Sequence, residues 1–178
     1  MQVGSECIKE ELFVLSKNLT EDTINELVST YGNSVLRMCY LYLKDYQLAE
    51  DVTQETFIKV YEKIDTFENK SAIKTWIMRI AINLCKNQMR THWFKRKAME
   101  HIPEIASEDE FDIILDKDAI SLEIMKLQPK YREVILLFYY QELPVKEISY
   151  ILNIKETAVL QRLRRAREQL KPSLKEIL

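Results

Sequence analysis

The sequence predicts an all-α fold of two small helical domains joined by an acidic flexible linker, the C-terminal domain being a helix-turn-helix. Apolar residues recur at helical spacing through most of the chain. Only two glycines and four prolines occur among 178 residues, whereas a β-rich fold needs many tight turns that usually require such residues. The helical periodicity fades over residues 95–117 and resumes afterwards. Together these observations favour helices with short connections in two separate units.

The first domain is predicted to cover residues 20–94, after a short N-terminal extension at residues 1–19. Its first helix begins near Thr20, which can cap it, and its second runs from about Leu48 to Ile64. The inward positions of the second helix are Ala49, Val52, Thr56, Val60 and Ile64. A third helix runs from about Ala72 to His92. Beside its apolar face lies a basic stripe, within about a third of the circumference at roughly 100° per residue, formed by Arg79, Asn83, Lys86, Asn87 and Arg90.

The net charge of −2 conceals a strong separation of charge along the chain. Residues 79–97 hold six Lys and Arg and no acid, whereas residues 104–118 hold seven acids and one lysine. Such segregation indicates separate surfaces with separate partners. The three cysteines are widely spaced without a CxxC pair, which favours reduced thiols in a cytosolic protein. We find no signal peptide and no stretch approaching the roughly 20 apolar residues of a membrane span, so we expect a soluble, intracellular chain.

The last part of the chain, residues 118–178, is predicted to be a helix-turn-helix domain. The segment PVKEISYILNIKETAVLQRLRRAREQL has the form helix, tight turn, helix. In its second helix the inward face is formed by Val159, Leu163, Ala166 and Leu170, and the opposite face by Thr157, Gln161, Arg164, Arg165 and Glu168. A helix of this kind suits the DNA major groove, where residues near its N-terminus reach base edges and later arginines reach phosphates.

Other interpretations of the four arginines between Arg162 and Arg167 stay open at this point. An isolated run of this kind is as often a solvated helix face. A membrane-surface helix would need a wider apolar face, and a coiled coil would need several more heptads. The helix before the turn and the apolar turn residue Ile154 favour DNA.

The sequence does not favour an enzyme. It contains no HExxH, no Gly-rich phosphate loop and no GxSxG. Its histidines, His92 and His101, lie near the linker, and Cys39 and Cys85 occupy helix positions that predict burial rather than nucleophilic chemistry. We therefore expect no catalytic residue, cofactor, metal or small-molecule substrate.

Two motif blocks resemble the sigma-70 family of RNA polymerase sigma factors, specifically the extracytoplasmic-function group. The first is LAEDVTQETFIKVYEKIDTF followed by KTWIMRIAINLCKNQMR, and the second is LQPKYREVILLFYYQELPVKEISYILNIKETAVLQRLRRARE. The resemblance covers about Ile24 to Lys171, and it implies sigma region 2 over residues 20–94 and sigma region 4 over residues 118–178. It implies an alternative sigma factor that binds core RNA polymerase, recognises the −10 and −35 elements of promoter DNA and aids promoter melting. It also implies an anti-sigma factor, commonly membrane-anchored, that would hold a cytoplasmic protein at the membrane.

The resemblance assigns roles to individual residues. The segment that grips a coiled coil of the polymerase's largest subunit matches Asp51, Gln54, Glu55 and Phe57. The family also has a loop that captures a flipped −10 base and a helix that meets the −10 duplex. The matching residues of this chain are called the −10 surface, and they are Phe67, Ser71, Lys74, Trp76, Arg79, Asn83, Lys86, Asn87 and Arg90. The −35 recognition segment, called the −35 surface, matches Lys155, Glu156, Thr157, Gln161, Arg162, Arg164 and Arg165. From the residues alone, the aromatic side chains of Phe57, Phe67 and Trp76 are also compatible with core packing. The resemblance further implies that the acidic linker runs through the polymerase interior.

The chain departs from the family pattern at the start of the recognition helix. Thr157, Ala158, Val159 and Leu160 stand where the family commonly has Gly-Thr-Val-Lys. A hydroxyl has moved by one position and a lysine is lost, so we expect a −35 preference that differs from the family norm. Two alternatives are a conventional helix-turn-helix regulator that acts without core polymerase and a purely structural helical adaptor. The QETF and TWIMRIA motifs argue against the first, and the two basic surfaces argue against the second.

Overall fold

A computed structural model of the protein describes the backbone of residues 21–68, 71–98 and 119–177, and the side chains of residues 22–68, 71–91 and 119–173. The predicted N-terminal extension at residues 1–19 and residues 99–117 of the predicted linker lie outside the described residues. Every regular element in the described part of the chain is helical. This confirms the predicted all-α fold class.

Seven α-helices follow one another along the described ranges. They are α1 (Glu21–Leu43), α2 (Tyr46–Lys63), α3 (Ile73–Ala98), α4 (Ala119–Lys126), α5 (Pro129–Ile135), α6 (Val145–Leu152) and α7 (Glu156–Ile177). A single 3₁₀ turn, Ile64–Thr66, follows α2, and a π-helical turn, Leu136–Tyr140, continues α5. Helix α3 is longer than predicted. It continues to Ala98, four residues into the segment predicted to be the linker.

The first three helices form a bundle around an apolar core. The predicted inward residues of α2, from Ala49 to Ile64, are all buried, which confirms the helical periodicity. Met38 and Leu41 of α1 and Ile77 and Ile82 of α3 are fully buried against them. Asp45 begins α2 as its N-cap, because its carboxylate accepts a hydrogen bond from the backbone N–H of Leu48 at 2.9 Å. Asp51 and Gln54 lie on the exposed face of α2, opposite these buried residues.

The C-terminal helices form the predicted helix-turn-helix. The inward residues Val159, Leu163, Ala166 and Leu170 of α7 are buried, as expected, and Ile148 and Ile151 of α6 pack with them. The turn between α6 and α7 is closed by Asn153 in the left-handed conformation and by Ser149, whose hydroxyl donates to the carbonyl of Ile154 at 2.7 Å. Packing and turn geometry together fix which face of α7 points outward.

The two helical units pack against each other, an arrangement that the sequence did not predict. Helix α3 lies against α6, while α1 contacts α4 and α5. Arg132 of α5 is only 3% exposed. Its guanidinium donates to the carbonyl of Tyr42 in α1 at 2.5 Å and to those of Met125 and Leu127 at 2.6 and 2.7 Å. Burial lowers the pKa of Arg132, as expected for a cation removed from water.

Three sharp turns in the described ranges are made without glycine. Lys44, Glu142 and Asn153 have positive φ angles of 63°, 54° and 53°, each near a helix end. The Cβ of an L residue costs roughly 1–2 kcal/mol in that region, and among these three residue types asparagine visits it most readily because its short polar side chain can hydrogen-bond locally. The turns at Lys44 and Glu142 are therefore strained, because glycine is absent from both positions.

We predict that Lys44→Gly raises the free energy of unfolding by about 0.5–1 kcal/mol. Glycine relieves the strain of the left-handed conformation, and the greater conformational entropy of glycine in the unfolded state offsets part of this stabilisation. Urea denaturation measures the change. Asn153→Gly is the matched control and should alter stability by less than about 0.5 kcal/mol, since asparagine already tolerates this conformation. A loss of stability in Lys44→Gly would contradict the prediction.

Candidate nucleic-acid interface

The outward face of α7 carries most of the predicted −35 surface. Lys155, Glu156, Thr157, Gln161, Arg164 and Arg165 are all exposed. The guanidinium of Arg164 is paired with Glu168 one turn later, at 2.9 Å, in a solvent-exposed ion pair of little energetic consequence. Leu160, which departs from the family pattern, is 54% exposed beside them. An exposed row of cations and amides at the start of a helix-turn-helix recognition helix is suited to the major groove.

Arg162 is placed differently from the other arginines of the −35 surface. Its guanidinium donates to the carboxylate of Glu133 in α5 at 2.7 Å, and its side chain is only 29% exposed. Arg167 likewise turns toward the protein, donating to the hydroxyl of Tyr139 at 2.8 Å. Of these four arginines Arg162 is the one that is half-buried, whereas Arg165 and Arg167 are exposed but also bond to tyrosines of the C-terminal unit, Tyr131 and Tyr139.

The predicted −10 surface divides in the same way. Asn83, Asn87 and Arg90 are exposed along α3. Lys86 forms an ion pair with Glu133 at 2.9 Å, and the Arg79 guanidinium lies over the ring of Tyr150, 4.4 Å from its centroid. The ammonium group of Lys74 donates to the backbone carbonyl of Gln141 at 2.7 Å.

The two aromatic residues of the −10 surface meet beside a small cavity. The rings of Phe67 and Trp76 are 5.2 Å apart between centroids and tilted by 43°. They line a cavity of about 80 Å³ together with Thr66, Glu68, Ser71 and Tyr150. Aromatic faces beside hydroxyl and carboxylate groups can stack on a base and bond to its edge. Phe67 and Trp76 are half-buried, so they also pack on the core.

The predicted polymerase-binding residues lie along α2. Asp51 and Gln54 are exposed, Glu55 is half-exposed and 3.4 Å from the Lys59 ammonium, and Phe57 is 7% exposed. Phe57 forms the floor of an apolar groove of about 420 Å³ between α1 and α2. Its burial means that it supports the groove from within rather than projecting from the surface.

Sequence reasoning did not assign three exposed apolar residues of the groove to the polymerase-binding surface. Val28, Ile58 and Tyr61 line this groove and are 41%, 57% and 59% exposed. One signal could have found two of them, because Gln54, Ile58 and Tyr61 recur at steps of four and three on the face opposite the inward residues of α2. Exposed apolar side chains that line one groove are typical of a protein-binding surface.

The described residues offer little to catalysis or metal binding. Within these ranges no three His, Cys, Asp or Glu side chains cluster in a way that could hold a metal ion. Cys39 and Cys85 are buried free thiols, as expected. A hydrogen bond with Cys39 and burial raise the pKa of Cys85 well above its usual value, which disfavours the nucleophilic thiolate. None of the described helices is both long and apolar enough to span a bilayer.

Comparison with known proteins identifies both helical units. The family model "Sigma-70 region 2" matches residues 27–95, and the model "Sigma-70, region 4" matches residues 117–170. The chain is 35% identical to the ECF RNA polymerase sigma factor SigW of Bacillus subtilis (strain 168), over 88% of this chain and 91% of that protein. It is 32% identical to the ECF RNA polymerase sigma factor SigM of the same organism, over 84% of this chain and 93% of that protein.

A solved structure has a similar fold. The chain superposes on the sigma factor RpoE from Bartonella quintana, determined in complex with the anti-sigma factor NepR, with a TM-score of 0.73 and 25% identity. The similarity covers 88% of this chain and 98% of that one. The structure of CnrH in complex with the cytosolic domain of CnrY has a similar fold at 23% identity, with a TM-score of 0.69. It covers 93% of this chain and 96% of that chain.

Two basic surfaces on two sigma-type helical units define a DNA-binding factor of transcription initiation. The chain belongs to the sigma-70 family, in the extracytoplasmic-function group. The resemblance seen in the two motif blocks is thereby confirmed. The protein is an alternative sigma factor, which directs core RNA polymerase to promoters.

Proposed function

We propose that this sigma factor contacts DNA and polymerase through three separate sets of residues. The exposed −35 surface enters the major groove, the −10 surface receives the opened −10 element, and the groove between α1 and α2 takes a helical element of the polymerase's largest subunit. The observation that best supports the proposal is the distribution of residues around α7. Its cations and amides lie on the outward face, while the apolar residues that pack the helix into the C-terminal unit lie on the opposite, buried face.

The proposed promoter cycle involves no bond chemistry by this chain. Gln161 and Arg165 engage the −35 element, and Asn83, Asn87 and Arg90 engage the −10 region. Phe67, Ser71 and Trp76 hold an unstacked base and so favour strand opening. An anti-sigma factor, as in the complex of the similar RpoE, would control the cycle from the cytoplasm, and a membrane anchor on that partner would hold the chain at the membrane.

Run-off transcription with core RNA polymerase tests the function as a whole. Adding the chain to core enzyme should yield transcripts that start at defined promoters in a genomic fragment library, whereas core enzyme alone should not. A conventional helix-turn-helix regulator would instead shift duplex DNA by itself and add no such transcripts. That outcome would overturn the proposal.

We predict that Arg165→Ala weakens promoter binding by the holoenzyme about tenfold, because one arginine contact to a base or phosphate contributes about 1–3 kcal/mol. Fluorescence anisotropy with a promoter fragment measures the effect, and core binding should stay unchanged. Lys126→Ala is the matched control, since Lys126 is an exposed cation of the same unit that lies on α4, outside the −35 surface, and pairs with Glu123. Equal losses in both variants would contradict a specific role for Arg165.

We predict that Ile58→Glu weakens binding to core polymerase at least tenfold, because a carboxylate in an apolar contact must be desolvated without a partner. Ile58 is 57% exposed, so its replacement should leave the thermal midpoint within a few degrees. Leu122→Glu is the matched control, because Leu122 is 58% exposed on α4, away from the groove. A competition assay against a labelled sigma factor measures the affinity for core polymerase. If Ile58→Glu bound core polymerase with wild-type affinity, the groove would not be the site of this contact.

A further inference from the structure

The first turn of the recognition helix α7 carries an exposed leucine. Leu160 is 54% exposed, whereas the other large apolar side chains of α7 that the structure describes, Val159, Leu163 and Leu170, are buried. Those three residues already pack the helix into the C-terminal unit. Leu160 is therefore an apolar side chain whose position the packing of the domain does not explain.

Leu160 lies within the outward face of α7. Residues three and four positions apart are neighbours on a helix surface, so Leu160 is flanked by Thr157 and Arg164, and all three side chains are exposed. Helical side chains lean toward the N-terminus of their helix, which directs Leu160 over the first turn. In a helix-turn-helix, the residues at this end of the recognition helix are the ones that reach base edges.

The first turn of α7 contains no cation that could bind a phosphate. Residues 156–161 include one charged side chain, Glu156, and the four arginines of the helix follow from Arg162 onward. Phosphate contacts position a protein on DNA, whereas contacts to base edges determine sequence preference. The charge distribution therefore assigns the later turns to phosphates and leaves Leu160 among the residues that contact bases.

The chemistry of leucine restricts the base feature that it can recognise. Its side chain has neither a donor nor an acceptor, so it cannot bond to the polar groups by which guanine, adenine and cytosine differ in the major groove. Thymine also presents an apolar group there, its C5-methyl. Contact between this methyl group and the leucine side chain removes apolar surface of both from water. A leucine at this place thus favours a T·A pair.

We propose that Leu160 is a specificity-determining residue of this sigma factor, and that it contacts the C5-methyl group of one thymine in the −35 element. The proposal rests on the function proposed above and names the base feature that this part of the −35 face recognises. The adjacent Gln161 is exposed and suits adenine, whose N6 and N7 it can bond together. The two side chains thereby select A·T pairs, and the arginines bind the backbone.

The leucine also removes a charge from the interface. The family commonly has lysine at position 160, and an exposed lysine can neutralise a phosphate. Each phosphate neutralised steepens the fall of log affinity with log salt concentration by about 0.9. Leucine replaces this salt-dependent contact, which is independent of sequence, with an apolar contact that depends on the base. Salt dependence therefore gives the proposal a second measurable signature.

Replacing thymine with deoxyuridine isolates the methyl group. Deoxyuridine lacks the C5-methyl and keeps every hydrogen-bonding group that thymine presents in the major groove. Promoter fragments from the run-off assay, each with one −35 thymine of either strand replaced, are titrated with holoenzyme by fluorescence anisotropy. At one position the replacement should weaken wild-type binding about fourfold, the effect expected when one methyl group leaves water.

Variants at Leu160 test whether this side chain makes the contact. Leu160→Ala should bind the thymine and deoxyuridine fragments within about twofold of each other. Leu160→Lys should also lose the discrimination, and its log affinity should fall more steeply with log salt, by about 0.9. Leu122→Ala is the matched control, because Leu122 is 58% exposed on α4, outside the −35 surface, and it should keep the wild-type ratio and slope.

The proposal is overturned if no −35 thymine gives this discrimination, or if Leu160→Ala discriminates as the wild type does. Promoters that share no T·A pair in the −35 element would also overturn it. If Leu160→Ala lowers the affinity for core polymerase and leaves the discrimination unchanged, Leu160 contacts protein and the thymine assignment is wrong. Failure of the sigma function differs from all of these, because wild-type holoenzyme would then neither bind the fragments nor produce run-off transcripts.

Discussion

Arg132 and Glu133, consecutive residues of α5, are the buried charges on which the arrangement of the two units depends. Both are about 3% exposed, and a buried charge is tolerated only when it is paired or fully hydrogen-bonded. Arg132 meets most of this requirement on backbone carbonyls of both units, although its buried Nε has no hydrogen-bond partner, and Glu133 meets it on Lys86 and Arg162. Because these partners come from α1, α3, α4, α7 and the connection after α4, one short helix fixes the position of most others.

The cations assigned to the two basic surfaces already have partners within the chain. Lys86 and Arg162 pair with the Glu133 carboxylate, and the Arg79 guanidinium lies over the Tyr150 ring. On a promoter, in the proposed function, phosphate would take the place of Glu133. A contact between apolar surfaces would have been harder to reverse, since hydrophobic burial has no equivalent substitute on DNA. Charged contacts allow one surface to have two successive partners.

Much of the fold was predictable because it depends on local pattern. Residue spacing predicts the inward residues of α2 and α7. Helix-end chemistry predicts that prolines stand near the starts of α5 and α6, and both signals are read directly from the sequence. The contact between the units was not predictable, because its partners lie far apart in the chain and no periodicity links Lys74 to Gln141 or Ser34 to the same glutamine. Arg162 shows the same limit, since it borders the buried Val159 and Leu163 and its direction depends on a carboxylate 29 residues earlier.

The division of the arginines on α7 explains how a slightly acidic protein can carry two DNA surfaces. Each of the four has a partner in this chain: Arg162 pairs with Glu133 and Arg164 with Glu168, while Arg165 and Arg167 bond to Tyr131 and Tyr139. The free chain thus presents fewer unpaired cations than its sequence suggests, and its non-specific attraction to DNA falls accordingly, because that attraction grows with each phosphate neutralised. Arg162 and its partner Glu133 both belong to the C-terminal unit, so this pair does not depend on the contact between the units, whereas the pair of Lys86 with Glu133 does.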